Sequence, residues 1–329
     1  MSMLEGAPWL LAHKSMLEIN KPKKVSIYGS DYVIWQDRTG KVNALPNACP
    51  HMGAMLSEGW CQEREDQTSV VVCPFHALEF DSEGCTILPG SKKKTLPQLK
   101  PLELIIQDDF IWSYGGHEPK VPIPTILNEI ASNYEFIGHT ADVSVETDLL
   151  SMLLIMHDYN HQNGTHRPLF KIEEVQFESF LDGGHHSHAF YSLPTSPTNL
   201  SEKLSNPDLL LLPKVIKAHL ENHFPSLVIA HVENWVGKVA QVHLFVPESK
   251  TRTRTYVLMY GIPKHAAFKA LGQKFLNFAK VIVEQDADIL PKIYPNIPQK
   301  IKLNNEVGMD WARRNFQSWP EIVEPSLSK

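Results

Sequence analysis

The chain has 329 residues, 43% of them hydrophobic and 21% charged, with a formal net charge of −6. That length suggests two domains with a sizeable core, and the acidic balance argues against a nucleic-acid binder, which carries a basic surplus. Four cysteines are too few for a secreted disulfide scaffold. The opening stretch MSMLEGAPWLLAHK lacks a basic region, and no window approaches the roughly 18 apolar residues of a membrane span. A soluble cytoplasmic protein is the expectation, with the basic runs KPKK and SKKKT as solvated loops.

Residues 24–45 alternate apolar and polar around two turn signals, Gly29-Ser30-Asp31 and Asp37–Gly40, as strands do. Further strands are expected at Val70–Val72, Leu102–Ile106 and Ile111–Tyr114. Two glycines and three prolines crowd residues 115–124, so the domain boundary is placed there, giving 1–118 and 119–329. Residues 149–161 then read as a helix rich in Leu and Met. Residues 206–224 read as another, with Asn206 as its cap and a proline in its first half. Residues 226–247 and 251–263 alternate with the period of antiparallel strands. From His265 to Leu290 an amphipathic pattern through Phe268, Leu271, Phe275, Phe278 and Val281 predicts one long helix. Strands first, then antiparallel strands with a late helix, indicate an α+β chain without βαβ units.

Two Cys–His pairs carry the chemistry. Cys49-Pro50-His51 and Cys73-Pro74-Phe75-His76 each follow a predicted strand. Such a set suits zinc, which accepts two thiolates and two imidazoles. It equally suits a [2Fe–2S] cluster with two thiolates on one iron and two imidazoles on the other. Each tip offers one residue of each kind, an arrangement that favours two different metal atoms.

These tips resemble the Rieske motif, and GCTILPG (Gly84–Gly90) is similar to the segment that follows it in Rieske oxygenases. The resemblance implies an N-terminal all-β Rieske domain with Cys49, His51, Cys73 and His76 as cluster ligands. Two departures stand out: the 21 residues between His51 and Cys73 are a few more than usual, and Ala77-Leu78 replaces a Gly-Trp pair. Respiratory-complex Rieske proteins brace the cluster with a disulfide, whose places here hold Ala54 and Phe75. The oxygenase or ferredoxin type therefore fits better, with Cys61 and Cys85 as free thiols.

In the second half, Asp158, His161 and His166 stand in the pattern Asp-x-x-His-x-x-x-x-His. Two imidazoles five positions apart converge only if the helix unwinds between them, and Asn163-Gly164 supplies a break. One more carboxylate completes a two-His-one-carboxylate site for Fe(II). His157 and His161, at i and i+4, form a competing pair. By the resemblance, His161 and His166 are iron ligands, and Asp158 bridges a cluster histidine of one subunit to an iron histidine of the next. The resemblance also implies a carboxylate ligand on the late helix, best matched by Asp286, with Glu284 and Asp288 as neighbours on other faces. The family often has Asn or Glu where Leu154 and Ile155 stand.

His185, His186 and His188 form a third candidate, with metal binding as one reading and a polar strand start near a loop, walling the substrate pocket, as the favoured one. Trp235, Phe180, Met259 and Tyr260 are read as core, with a pocket lining as the alternative. The family's catalytic fold is the helix-grip type, a curved antiparallel sheet holding a long helix. Without a nucleotide-binding glycine motif, NAD(P)H is expected to act indirectly, through a separate ferredoxin or flavin reductase. The resemblance further implies O2 as co-substrate, a small organic substrate, a head-to-tail homotrimer, and monooxygenase or demethylase chemistry. A cluster-only electron carrier, a dihydroxylase and a desaturase are the alternatives.

Overall fold

The computed structural model describes residues 3–89, 93–140, 142–196, 214–233, 236–294 and 299–321. The chain packs into two units, Met1–Ile123 with Val246–Lys250, and Pro124–Phe245 with Thr251–Lys329.

The first unit is built of short antiparallel strands. They are β1 (Trp9–His13), β2 (Lys23–Ile27), β3 (Ser30–Gln36), β4 (Val42–Pro46), β5 (Trp60–Glu63), β6 (Ser69–Val72), β7 (Glu79–Asp81), β8 (Cys85–Ile87), β9 (Lys94–Pro97), β10 (Ile105–Gln107) and β11 (Phe110–Ser113). They form three sheets, ordered β1-β11-β10, β2-β3-β4 and β5-β6-β7-β8-β9. Val33, Trp35, Leu45, Leu56, Val71, Phe80 and Leu99 pack with Cys49 and Cys73 in one core cluster. Burying each such large side chain contributes roughly 1.5–3 kcal/mol. That core seats both Cys–His tips on rigid strands.

The second unit opens with α1 (Ile126–Asn133), β12 (Glu135–His139) and β13 (Val143–Val145). Then come α2 (Leu149–His157) and α3 (Arg167–Phe170), followed by β14 (Gln176–Asp182), β15 (His186–Pro194), β16 (Val215–His223), β17 (Leu227–Glu233), β18 (Gly237–Ser249) and β19 (Arg252–Pro263). The helices α4 (Ala267–Ala270), α5 (Gly272–Ile289) and α6 (Val307–Ser318) complete it. The sheet runs β12-β19-β18-β17-β16-β15-β14, with β13 also on β19. Helix α5 packs on β12, β13 and β19 through Ala279 and Val283, against Val239, Val257 and Met259. Its apolar positions recur at helical spacing, so one face is buried and Glu284, Lys280 and Asp288 remain in solvent.

Three expectations need correction. The helix expected over 149–161 leaves α geometry at Asp158, which adopts extended dihedrals. Asp148 caps its start by accepting from Ser151 N–H at 3.1 Å, and a 3-10 turn takes over at Tyr159–Asn163. The helix expected over 206–224 is strand β16 from Val215 onward, and its cap Asn206 lies outside the described residues. There Ile216, Ala218 and Leu220 alternate with Lys217, His219 and Glu221, a period of two that a proline-interrupted helical reading obscured. The long late helix is split at Leu271, just before Gly272, into α4 and α5. Among the described residues, no helix is long and apolar enough to cross a membrane.

Candidate metal centres and substrate cavity

The two tips of the first unit close with the same hydrogen bonds. Cys49 N–H donates to the Ala54 carbonyl (2.9 Å) and Gly53 N–H to the Cys49 carbonyl (2.8 Å). Likewise Cys73 N–H donates to the Leu78 carbonyl (2.9 Å) and Ala77 N–H to the Cys73 carbonyl (3.1 Å). Gly53 and Ala77 occupy equivalent left-handed positions, with φ of +76° and +53°. This explains why the second tip usually carries glycine, and Ala77 holds the same turn at a cost of about 1–2 kcal/mol.

Both cysteines are buried, whereas His51 and His76 stand exposed with their Nδ1 atoms 3.2 Å apart. Burial pushes the Cys49 thiol upward, the amides of His51 and Met52 oppose this, and the adjoining Cys73 thiol reinforces it. Two thiols beneath two converging imidazole nitrogens fit a [2Fe–2S] group ligated by both residue types. Ala54 packs against the core cluster, and Phe75 is exposed. Cys61 and Cys85 are free cysteines, and burial drives the Cys61 thiol up to about 12.

In the second unit His161, His166 and Asp286 come together, one candidate ligand atom from each lying within 4.8 Å of the others. Asp286 Oδ1 is 3.2 Å from His166 Nε2 and 3.8 Å from His161 Nε2. His161 comes from the 3-10 turn, His166 from the start of α3, and Asp286 from the last turn of α5. The orientations are set from behind. His161 Nδ1–H donates to the Asp158 carbonyl, and His166 Nδ1–H donates to Gln285 Oε1 at 2.7 Å. A carbonyl oxygen only accepts, so both imidazoles carry the proton on Nδ1 and present a bare Nε2. His166 Nε2 and Asp286 Oδ1 are buried without a hydrogen-bond partner. Orphaned atoms of this kind on an imidazole and a carboxylate, with the His161 imidazole beside them, fit a divalent iron ion.

Electrostatics agree with that arrangement. Burial lowers the His161 imidazole, and the Asp286 carboxylate opposes the shift. At His166 burial acts in the same direction, but the adjoining Asp286 carboxylate and the Gln285 amide outweigh it and raise the imidazole. Asp158 accepts from Asn160 N–H at 3.0 Å. Burial raises its carboxyl despite the neighbouring His161.

The rivals lie elsewhere. His157 donates from Nδ1 to the Leu153 carbonyl at 2.6 Å and packs beside Trp311, away from His161. Glu284 pairs with Lys280 and Asp288 with Lys292 on the exposed face of α5. Gln285, His243 and Gln162 were not singled out in the sequence, and no local pattern marks them. Gln162 Nε2 lies 3.3 Å from His161 Nε2.

A cavity of about 340 Å3 opens above His161, His166 and Asp286 between the sheet and α5. Its sheet wall is Tyr191, Ala218, Leu220, Ala230 and Val232, and its helix wall is Phe275, Phe278 and Ile282. Gln241 and His243 are polar points in this lining, and burial pushes His243 down to about 4. The imidazole is therefore a neutral hydrogen-bonding group at neutral pH. Met259 lines the cavity, while Tyr260 is buried beside Phe136, and Phe180 packs on Trp311. Trp235 lies outside the described residues. The expected pocket wall at His186 and His188 is not found, because the cavity takes Tyr191 and Leu193 and the even-numbered side chains of β15 face the other way.

Comparisons with known proteins agree with both units. The family profile of the Rieske [2Fe-2S] domain matches residues 8–100, and that of the vanillate O-demethylase oxygenase C-terminal domain matches residues 210–318. Aminopyrrolnitrin oxygenase PrnD of Pseudomonas fluorescens is 26% identical over 187 residues, which cover 53% of this chain and 50% of that protein. The vanillate O-demethylase oxygenase subunit of Pseudomonas sp. (strain HR199 / DSM 7063) is 26% identical over 47% of this chain and 43% of its own length. The matched segment thus spans about half the length, or less, of these curated relatives. Dicamba monooxygenase bound to dicamba has the same fold, with a TM-score of 0.69 at 17% identity over 96% of this chain and 97% of that one. A cluster-binding domain followed by an oxygenase C-terminal domain identifies the chain as a member of the Rieske non-haem iron oxygenases.

Proposed function

We propose that this protein is a terminal oxygenase that uses O2 and externally supplied electrons to hydroxylate, or oxidatively demethylate, a small and largely apolar organic substrate. The observation that carries this reading is the buried set of His161, His166 and Asp286 opening onto an apolar cavity, in a chain that also holds a Rieske domain. Cys49, His51, Cys73 and His76 would hold the [2Fe–2S] cluster, and His161, His166 and Asp286 the Fe(II) ion. Residues 1–118 and 119–329 are the corresponding domains. The cluster supplies single electrons, and the iron supplies O2 activation with coordination positions left open.

The chain's own residues do the rest. Asp286 and two neutral imidazoles give the ion one negative charge, which favours a divalent state in a buried setting. Gln285 and the Asp158 carbonyl keep both Nε2 atoms aimed inward. The aliphatic walls exclude water and hold an apolar substrate near the open positions, while Gln241 and His243 offer hydrogen bonds to a polar substituent. Asp158 would serve as the hydrogen-bonding bridge between this iron site and the cluster site of a neighbouring subunit. The assembly is a homotrimer, and a separate ferredoxin or flavin reductase draws the electrons from NAD(P)H. The vanillate O-demethylase oxygenase subunit lends the demethylation reading its support.

Iron and acid-labile sulfide analysis with low-temperature EPR tests the two-centre reading, on wild type and His161→Ala. The expected result is about three irons and two sulfides per chain, falling to about two irons in the variant with the cluster signal intact. Wild type holding only the cluster irons after anaerobic iron loading would point to an electron carrier instead. Light scattering should give about 112 kDa, three times the 37.3 kDa chain.

A further inference from the structure

The pairing register of the sheet gives the cavity floor its shape. Tyr191, Ala218, Val232 and Val239 stand in one row across β15, β16, β17 and β18, and Leu220, Ala230 and Gln241 stand in the next. Neighbouring strands lie about 4.8 Å apart, so the steps from β15 to β18 span about 14 Å. Along β18 the lining takes Val239, Gln241 and His243, which at about 3.3 Å per residue adds about 13 Å in the other direction. Ala218 and Ala230 are diagonal neighbours on β16 and β17, and their short side chains keep the middle of this floor low.

The facing wall is one helix face, Phe275, Phe278 and Ile282 at i, i+3 and i+7 of α5. Phe278 meets Phe170 edge to face at 5.2 Å, and Phe170 meets His166 the same way at 6.0 Å, so these rings are restrained up to the metal ligands. Floor and wall enclose about 340 Å3. An apolar cavity of about 150 Å3 accepts a single benzene, so this one has room for roughly two to three fused rings. Polarity is concentrated on β18, at Gln241 and His243, whereas β16 and β17 contribute only Ile, Ala, Leu and Val to the lining. His243 lies close enough to Asp286 and His166 to feel their charges, which puts this polar edge at the metal end. Apart from the metal ligands, Lys274 is the one charged side chain among the described lining residues, and it is exposed on α5. A carboxylate lying along the floor would be buried without a counter-ion, which is costly, whereas a ketone or hydroxyl needs only a hydrogen bond.

We propose that the substrate is a flat, uncharged compound of about two to three fused rings bearing an oxygen function, its rings lying between Ala218 and Ala230 on one side and Phe275 and Phe278 on the other, and its oxygen hydrogen-bonded to the Gln241 amide. Gln241 stands directly across from Ala230, so the low part of the floor and the polar contact adjoin. This assignment rests on the oxygenase reading and narrows its substrate, excluding single-ring aromatic acids.

The test is anaerobic equilibrium dialysis of the iron-loaded holoprotein, with iron measured on the same samples. The probes are fluorenone, a tricyclic ketone; fluorene, the same skeleton without oxygen; acetophenone, a single-ring ketone; and benzoate, a single-ring anion. Fluorenone should bind at micromolar concentration, at least about tenfold more tightly than acetophenone or benzoate, because its additional rings leave water. Gln241→Leu should weaken fluorenone about three- to tenfold and leave fluorene no weaker than in wild type. Ala230→Phe fills the floor and should weaken fluorenone at least about tenfold while acetophenone stays within about threefold. The proposal is overturned if acetophenone or benzoate binds as tightly as fluorenone, if fluorenone needs millimolar concentration, or if Gln241→Leu fails to separate fluorenone from fluorene. Should Ala230→Phe lose its fold, the wild-type affinities and Gln241→Leu decide. Iron content reports on the oxygenase reading separately. About three irons per chain without a preference for fluorenone defeats the substrate class alone, and about two irons defeats the oxygenase reading and this one with it.

Discussion

Replacing Gln285 with leucine removes the acceptor of the His166 Nδ1–H bond, 2.7 Å long and formed at a residue with no exposed surface. Leucine is close to glutamine in size, so the main loss is the acceptor. The donor is left buried without a partner, which costs about 1–3 kcal/mol, and the imidazole becomes free to turn its Nε2 away from Asp286. Partners behind a metal-bound histidine are typically worth 10–100-fold in metal affinity, which is about 1.4–2.7 kcal/mol, so the two estimates agree. Anaerobic Fe(II) titration against a competing chelator should therefore show binding weakened about 10–100-fold in Gln285→Leu. The Rieske EPR signal should be unchanged, since the cluster ligands lie in the other unit. Gln285→Glu keeps an acceptor at the same place and should bind iron close to the wild-type affinity. Iron affinity in Gln285→Leu within about threefold of wild type, or equal weakening in both variants, would refute the positioning role.

Three other outcomes follow from the geometry. Ala77→Gly relieves a left-handed backbone and should raise the stability of the first unit by about 1 kcal/mol, read as a higher melting temperature, while Ala77→Val should lower it. Asp158→Asn should retain iron and sulfide yet slow coupled turnover about tenfold or more, measured as reductase-dependent O2 uptake, because the proposed bridge loses its charge. Burial holds His157 neutral by pushing its imidazole down to about 4. The unfolded chain then binds a proton there first as pH falls, so stability is full above about 6.5 and is lost progressively down to about 4. The loss at this residue approaches roughly 3 kcal/mol. Denaturant unfolding across that window should show a shallower acid limb in His157→Gln, and an unchanged limb would count against the assignment.

Local chemistry was the legible part. Cys49, His51, Cys73 and His76 sit in two tips of a few residues each, and strand-turn signals on either side placed those tips at hairpin ends. The role of Ala77 was not legible, since only the backbone dihedral distinguishes a tolerated substitution from a strained one. In the second unit, spacing marked Asp158, His161 and His166 as neighbours, but it put the helix end too late. Asp158 leaves the helix itself, because its own carboxylate caps the turn that follows. Strand β16 was misread because its alternation follows a run of leucines and a proline that suggested a helix.

The amino-acid order by itself determined the ligand types, their separation along the chain, and the alternation that gives each strand of the second sheet an apolar and a polar face. Those properties depend on neighbours within a turn or a strand, so a single sequence contains them. Tertiary structure brings Asp286, the carboxylate that the resemblance favoured, to His161 and His166, and burial is what sets it apart from Glu284 and Asp288. It also decided which nitrogen His166 presents, through an amide 119 positions away at Gln285. The same holds for the cavity floor. Pairing register across β15, β16, β17 and β18 sets Tyr191, Ala218, Val232 and Val239 in one row, and no spacing along the chain encodes that register.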